Sequence, residues 1–196
     1  MNGRLDQQFA FLNEADRLKS VLRATTLCDG SRRENSGEHS WHLGLYALVL
    51  ADQAAPGVDI NRVIRMLLIH DLVEIDVGDV PIHSANGAAH NSPATMAAEA
   101  QAADRIFGLL PADLQTGLRA LWDEFEAALT PDAIFAKSLD RVQPVMANLQ
   151  SGGGTWVDYN VTPQQLDSRV GVKIARGAPG LWDWVRAKTD GFFNQG

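Results

Sequence analysis

The sequence contains a single cysteine, Cys28, in 196 residues. One cysteine excludes an intramolecular disulfide, and it also excludes a zinc site built from several thiolates. A secreted fold held together by disulfides is therefore excluded, and a reducing compartment fits this composition. We expect a cytoplasmic protein.

Long apolar runs and clusters of positive charge are also missing. The apolar-rich stretches, such as LGLYALVLA at residues 43–51, are much shorter than the roughly 20 residues that a membrane span requires. The first residues alternate apolar and charged side chains, without the apolar centre of a signal peptide. The 17 Lys and Arg residues against 24 Asp and Glu residues give a net charge of −7 with no basic cluster, which disfavours a nucleic-acid polymer as partner. We expect a soluble protein.

Apolar residues recur three or four positions apart along most of the chain, which predicts helices. Their expected first turns lie near Leu5, Ser36 or Gly37, Asp59, Pro93, Pro111, Pro131, Pro163 and Pro179. The first helix is expected to run to about Thr26, and residues 78–93 are expected to form a long loop, a candidate lid. No segment shows strand-like alternation. Because 45% hydrophobic content over this length suffices for one core, we predict a single all-α domain, a bundle of about seven or eight helices.

Four side chains that can bind a metal fall on three different predicted helices: His39, His70 with Asp71, and Asp140. The strings LLIHDLV and FAKSLDRV place charged groups in stretches that should be largely buried. An unpaired buried carboxylate costs several kcal/mol, so each carboxylate needs a cation or strong donors. A shared divalent ion is one interpretation. The other pairs the carboxylates with Arg65 and Arg141 and leaves His70 as a hydrogen-bonded core residue, which is the commoner case for isolated matches.

Three longer strings narrow these alternatives: RRENSGEHSWHL, IRMLLIHDLVEIDVGDVP and AKSLDRVQPVMAN. In this order they resemble the HD domain phosphohydrolase superfamily, and within it the branch of the 5'-deoxynucleotidases and HD domain-containing protein 2. The resemblance runs from about Leu18 to Asn148. It implies one domain over 1–196, with an HD core at about 18–148 and C-terminal helices at 163–193 packing on it. It also implies that the four candidate side chains bind one divalent metal.

The resemblance implies a function as well. Two imidazoles and two carboxylates suit a divalent transition metal, although ligand type does not choose among Mn, Co, Fe, Ni and Zn. Such an ion lowers the pKa of water and neutralises charge on phosphate. We expect a homodimeric metal-dependent phosphohydrolase that removes phosphate from deoxynucleoside or ribonucleoside 5'-monophosphates. The alternatives are hydrolysis of another small phosphoester, such as a cyclic nucleotide or a guanosine alarmone, and a non-catalytic, metal-stabilised sensor or scaffold.

Further roles concern proton transfer and phosphate binding. Glu74 lies one helical turn after His70, on the same side, and we predict that it is the general acid/base. A solvated glutamate near a helix end is the alternative. The resemblance implies that Asp79 orients Glu74 or the substrate sugar. It also favours Arg23 and Arg32 as the phosphate-binding residues, because guanidinium groups bind phosphate bidentately.

The sequence departs from the pattern of this branch in two places. Ala24 stands where we expect an aromatic residue after the arginine, and the segment after Gly78 differs. The preference for base and sugar and the identity of the leaving group therefore do not transfer from the family. We expect His42 to be a packed core residue. We expect His83 and His90 to be solvated loop residues rather than ligands of a second metal.

Overall fold

A computed structural model describes residues 3–90 and 92–194. Helices dominate that part of the chain, which confirms the all-α prediction. Seven of them have ten residues or more: α1 (Arg4–Asp16), α2 (Ser36–Val49), α3 (Ile60–Ile69), α5 (Pro93–Phe107), α6 (Ala112–Ala127), α7 (Pro131–Gln150) and α11 (Pro179–Phe193). Four are shorter: α4 (Glu74–Val77), α8 (Thr155–Asp158), α9 (Pro163–Leu166) and α10 (Val172–Gly177). None of the helices so described is long and apolar enough to cross a membrane.

Local capping explains where several helices begin. The Asn35 side chain accepts a hydrogen bond from the backbone N–H of Glu38 and starts α2, the helix that carries His39. The Asp59 side chain does the same for α3. Pro93 and Pro131 occupy the first turns of α5 and α7, where a missing N–H costs nothing. These predicted helix starts are confirmed.

The region after α1 differs from the prediction. The first helix ends at Asp16, a 3₁₀ turn follows over Arg17–Ser20, and Leu22–Thr26 forms strand β1. This strand pairs antiparallel with β2 (Arg33–Asn35). The expectation that the first helix reaches Thr26 is therefore wrong, as is the expectation of no strands. The physical reason is that the buried side chains of β1 are polar, Arg23 and Thr25, so the strand shows no apolar alternation.

Helix α7 lies at the centre of the molecule. It packs against α2, α3, α6 and α10, and its Leu139 and Phe135 are almost completely buried beside Met66 and Leu67 of α3. A second apolar cluster gathers around α5, where Phe107 stacks with Phe11. Burial of such side chains contributes roughly 1.5–3 kcal/mol each. The resulting core fixes the positions of the three helices from which the candidate ligands come.

Candidate metal centre

The fold brings together the four predicted metal-binding side chains, which come from α2, α7 and the end of α3. The Nε2 atom of His39 lies 3.2 Å from Oδ1 of Asp140, and the Nε2 atom of His70 lies 3.6 Å from the same oxygen. Oδ1 of Asp71 is 2.9 Å from His70 Nε2. His39, His70 and Asp71 each offer one ligand atom, and these atoms lie within 4.8 Å of one another. Two imidazoles and two carboxylates therefore face a common point.

His70 lies at the junction between helix α3 and a 3₁₀ turn. Helix α3 ends at Ile69, and a 3₁₀ turn covers His70–Val73, so the His-Asp pair lies at a helix end rather than inside a helix. The indole Nε1–H of Trp122 on α6 donates a hydrogen bond of 3.1 Å to the backbone carbonyl of His70. This contact ties the turn to the α5–α6 part of the core.

Hydrogen bonds to the other ring nitrogen orient both imidazoles. Nδ1 of His39 faces Oε1 of Gln143 at 3.0 Å, and Nδ1 of His70 faces the carbonyl oxygen of Leu67 at 2.8 Å. Both partners are acceptors, since Gln143 Nε2 donates to Oε1 of Glu34 at 2.8 Å. The proton of each ring is therefore placed on Nδ1, and each Nε2 is left to bind a cation, as in metal-ligating histidines.

Charge and burial at the cluster fit a bound divalent metal. His70 Nε2 is buried, and although Asp71 Oδ1 lies 2.9 Å away, no well-oriented hydrogen bond from the described residues reaches it. Burial alone would lower the pKa of His70, yet Asp71 and Asp140 raise it to about 10. Burial alone would likewise raise the pKa of Asp140, but Arg141 and the two imidazoles hold it well below its usual range. The cluster thus favours a positive charge, and its mixed N and O donors suit a transition metal.

Arg23 lies among the carboxylates that surround this cluster. It is buried, and its Nη1 atom lies 2.6 Å from Asp71 Oδ2, 3.6 Å from Glu74 Oε1 and 3.8 Å from Asp79 Oδ1. The neighbouring carboxylates raise the pKa of Arg23 despite its burial, so it stays charged. The structure places this predicted phosphate-binding residue in the lining of a cavity beside the metal cluster, but its guanidinium already contacts acidic side chains.

Glu74 begins α4 and is buried, which contradicts the alternative of a solvated surface glutamate. The hydroxyl of Ser36 donates a hydrogen bond to its Oε2 atom. Burial and the charge of Asp71 raise the pKa of Glu74 well above its usual value. A carboxyl group in this environment can hold a proton near neutral pH, as a general acid must.

Asp79 follows Gly78, whose φ of 74° lies in the left-handed region that favours glycine. Its Oδ2 atom accepts a hydrogen bond of 3.0 Å from the backbone N–H of Ala24, so it ties the loop after α4 to β1. Glu74 is not among its hydrogen-bond partners in the part of the chain that the structure describes. The structure therefore shows Asp79 at the cavity wall as an anchor of β1, and not in the expected contact with Glu74.

Arg32 is not among the residues that line the cavity beside the metal cluster, and its expected role in phosphate binding stays a prediction. It is exposed and pairs with Glu38 through two hydrogen bonds, of 2.9 and 2.7 Å. Glu38 belongs to the first turn of α2 and directs the arginine toward a shallow surface pocket that also contains Trp41 and His42. Arg65 is exposed on α3, and Asp71 pairs with Arg23 rather than with Arg65.

The cavity beside the cluster has a volume of about 350 Å³. His70, Asp71, Glu74, Asp79 and Asp140 line one side of it. The lining also includes four cations of α7 and α10: Lys137, Arg141, Lys173 and Arg176. Of these the sequence analysis considered only Arg141, as an ion-pair partner of the carboxylates, and its Nη1 atom lies 3.6 Å from Oδ2 of Asp140. Lys137 lies one helical turn before Asp140, which was a usable signal, whereas the two on α10 belong to no motif. Gln143, one turn after Asp140, was missed in the same way.

The loop histidines are not solvated as expected. His83 is buried, and His90 is partly buried. Nδ1 of His90 faces the carbonyl oxygen of Val80 at 3.1 Å, and its Nε2 accepts a hydrogen bond of 2.8 Å from Nη2 of Arg141. Burial and the charge of Arg141 lower the pKa of His90 to about 4. This imidazole is therefore neutral at neutral pH.

Comparison with known proteins agrees with this geometry. The HD domain family matches residues 15–182. Human 5'-deoxynucleotidase HDDC2 is 30% identical over 139 residues, which are 69% of this chain and 64% of the human protein, and the alignments span under two thirds of the three mammalian relatives of that name.

Two solved structures also resemble the chain. The crystal structure of a protein from Magnetospirillum magnetotacticum, described as a predicted metal-dependent phosphohydrolase, is 46% identical, with 96% of this chain and 95% of that chain covered and a TM-score of 0.88. A conserved hypothetical protein from Pyrococcus furiosus has the same fold at 21% identity, with 91% of this chain and 99% of that chain covered and a TM-score of 0.64. The chain belongs to the HD domain family.

Proposed function

We propose that this protein is a metal-dependent phosphohydrolase that releases phosphate from nucleoside 5'-monophosphates. In this proposal one divalent transition metal is bound by His39, His70, Asp71 and Asp140. The observation that carries the proposal is the convergence of these four side chains, whose imidazole Nε2 and carboxylate oxygen atoms lie 2.9 to 4.0 Å apart. Relatives named 5'-deoxynucleotidase support a nucleotide, and a deoxynucleotide in particular, as substrate.

In this proposal the metal ion and the side chains around the cluster have separate roles in hydrolysis. When bound, a divalent ion supplies Lewis-acid chemistry, lowering the pKa of water and neutralising phosphate charge. The pKa of Glu74 is raised well above its usual value, which favours the protonated form, and in this proposal that form donates its proton to the leaving oxygen. Its Oε1 atom is the candidate donor, since the Ser36 hydroxyl occupies Oε2. Arg23 holds Asp71 and Glu74 in position through contacts of 2.6 and 3.6 Å.

The size of the cavity agrees with a small substrate. A volume of about 350 Å³ lies at the lower end of the range of small-molecule sites. Ala24, on the strand that lines the cavity, leaves open space where an aromatic side chain would narrow it. Base and sugar selectivity therefore depend on other lining residues.

A substrate panel tests the proposal. Protein stripped with a chelator and reloaded with Mn²⁺ or Co²⁺ would be incubated with deoxyribo- and ribonucleoside 5'-monophosphates, a cyclic nucleotide and a guanosine alarmone. We expect phosphate release from 5'-monophosphates by the reloaded protein and none by the stripped protein. Turnover of the cyclic nucleotide or the alarmone alone would replace the substrate assignment. Absence of turnover for every compound by metal-loaded protein would contradict a hydrolase and favour a metal-stabilised scaffold.

The homodimer that the family resemblance implies stays a prediction. Helix α2 exposes several large apolar side chains, among them Trp41, Leu48 and Val49. Sedimentation at micromolar concentration would show whether a monomer persists.

A further inference from the structure

Helices α7 and α10 contribute four cations to the lining of the cavity, and we refer to them as the cationic wall: Lys137, Arg141, Lys173 and Arg176. The two helices approach closely because Gly177 has no side chain. A Cβ atom there would lie 2.7 Å from the carbonyl oxygen of Ile134. The Ser138 hydroxyl, buried between the helices, lies 3.2 Å from the carbonyl oxygen of Lys173. The position of the wall is therefore built into helix packing rather than into a mobile loop.

The positive charge of the wall is only partly balanced. Nζ of Lys137 pairs with Glu126 at 2.9 Å, and Nη1 of Arg141 lies 3.6 Å from Oδ2 of Asp140. Lys173 and Arg176 form no ion pair with any residue in 3–90 or 92–194. Burial and the charges of Arg141 and Lys137 lower the pKa of Lys173 to about 8, because these cations lie close together. Two charges of the wall thus form no ion pair within the described residues, and the nearby carboxylates of Asp140 and Glu126 only partly offset the effect of burial and of the neighbouring cations on Lys173.

Arg141 is the buried member of the wall. The residue is 9% exposed, and its Nε atom has no hydrogen-bond partner in the described part of the chain. Its Nη2 atom donates to the neutral imidazole of His90, which in turn is held by the carbonyl of Val80. A buried guanidinium that retains an unpaired N–H is costly, and an anion in the cavity would remove that cost.

We propose that the cationic wall binds a second phosphate group of the substrate, so that the preferred substrates are phosphomonoesters that carry another phosphate away from the scissile one. This inference rests on the proposed function, because it assigns the scissile phosphate to the metal centre. The two unpaired cations, Lys173 and Arg176, match the charge of one phosphate dianion. Asp140 and Arg141 are neighbours in sequence and connect the two sites.

Paired ligands test this inference in a binding experiment. Full-length protein carrying Glu74→Gln and loaded with Mn²⁺ would be titrated calorimetrically with deoxyadenosine 5'-monophosphate and deoxyadenosine 3',5'-bisphosphate. A second pair, fructose 6-phosphate and fructose 1,6-bisphosphate, removes the base. We expect the bisphosphate of a recognised pair to bind about tenfold more tightly, the effect of one charge-assisted contact. Preference in the nucleotide pair alone assigns the second phosphate to a nucleotide, and preference in both pairs assigns it to phosphomonoesters generally.

Variants of the wall decide the location of the second phosphate. Lys173→Met should remove most of the preference, and Arg176→Gln, at an exposed position that leaves folding intact, should reduce it several-fold. Lys188→Met, an exposed lysine on α11 outside the cavity, should keep it. Equal affinities within both pairs, or a preference that survives both wall substitutions, would overturn the inference. Because this readout is binding, it is independent of the phosphate-release panel, which tests the proposed function.

Discussion

His70 and His90 line the same cavity, yet their surroundings shift their pKa values in opposite directions. His70 stands in the acidic half of the cavity, formed by Asp71, Glu74, Asp79 and Asp140, and its pKa rises to about 10 although burial opposes this. His90 stands against Arg141 of the cationic wall, and its pKa falls to about 4 through burial and that charge. Burial has the same sign for both, so the charge of the neighbours decides the difference.

This comparison shows why residue type alone does not identify a metal site. His70 lies among carboxylates, where a positive charge is stabilised. His90 lies beside Arg141, where a second positive charge is repelled. The acidic half of the cavity and the cationic wall meet at Asp140 and Arg141, where Oδ2 of Asp140 lies 3.6 Å from Nη1 of Arg141. A metal in the acidic half and an anion at the wall would each balance the local charge.

The largest effect is expected from removing a carboxylate from the acidic half. Asp71→Ala deletes a predicted ligand that contacts His70 and Arg23, and we expect bound metal to fall from about one ion per chain to none. His90→Ala, the matched change at the wall, should leave metal content unchanged. Metal analysis of protein purified without chelators measures both, with circular dichroism to confirm folding. Equal metal content in wild type and folded Asp71→Ala would contradict the ligand set.

Much of this half of the cavity could be predicted from the sequence. Helix starts depend on local chemistry, so Asp59, Pro93 and Pro131 marked them correctly. Charged groups inside apolar helical strings need a cation or strong donors, so His70, Asp71 and the other two candidate ligands could be singled out, with a shared ion as one of two interpretations. The family resemblance then chose among the alternatives.

The wall and the first loop could not be predicted, for physical reasons. Lys173 and Arg176 reach the cavity only because α10 packs tightly on α7, a contact that no local pattern encodes. Strand β1 buries Arg23 toward carboxylates, so its inward face lacks the apolar period by which strands are recognised. The ion pair of Arg32 with Glu38 depends on the course of the turn between the two strands, which spacing does not give.

Glu74→Gln separates proton transfer in the acidic half from binding at the wall. We expect kcat to fall by a factor of about 10² to 10⁴, because the amide keeps the shape of the side chain but cannot transfer its proton. Metal content should stay the same, since Glu74 is not a predicted ligand. Steady-state phosphate release and metal analysis measure the two quantities.

Two variants serve as references for this change. Arg176→Gln at the wall should change KM more than kcat, and Glu14→Gln, a glutamate on α1 outside the cavity, should change neither. Full activity of Glu74→Gln would exclude it as the proton donor.

Gln143→Leu leaves all four predicted ligands in place and removes a hydrogen-bond partner of one of them. Gln143 accepts from Nδ1–H of His39 and donates to Glu34, so its loss frees the imidazole to rotate. We expect metal affinity to fall roughly 10- to 100-fold, the usual effect of losing the hydrogen-bond partner of a ligating histidine. Competition with a chromogenic chelator measures the dissociation constant. Gln150→Leu, at the exposed end of the same helix, is the control, and equal affinities for the two variants would show that Gln143 does not support the site.

The smallest effect concerns His90 and the pH dependence of stability. Its folded-state pKa of about 4 lies below the ordinary histidine value of 6.5, so between these pH values the unfolded chain binds a proton that the native protein does not. This group therefore costs stability as pH falls through 6.5, and the cost stops growing below about pH 4. His90→Gln removes this cost. The free energy of unfolding of the variant should therefore decrease by about 2 kcal/mol less than that of the wild type when the pH falls from 7 to 5. Urea unfolding of metal-free protein at several pH values gives the two profiles. Parallel profiles for variant and wild type would mean that His90 has the same pKa in the native protein and in the unfolded chain, and the contrast with His70 would no longer hold.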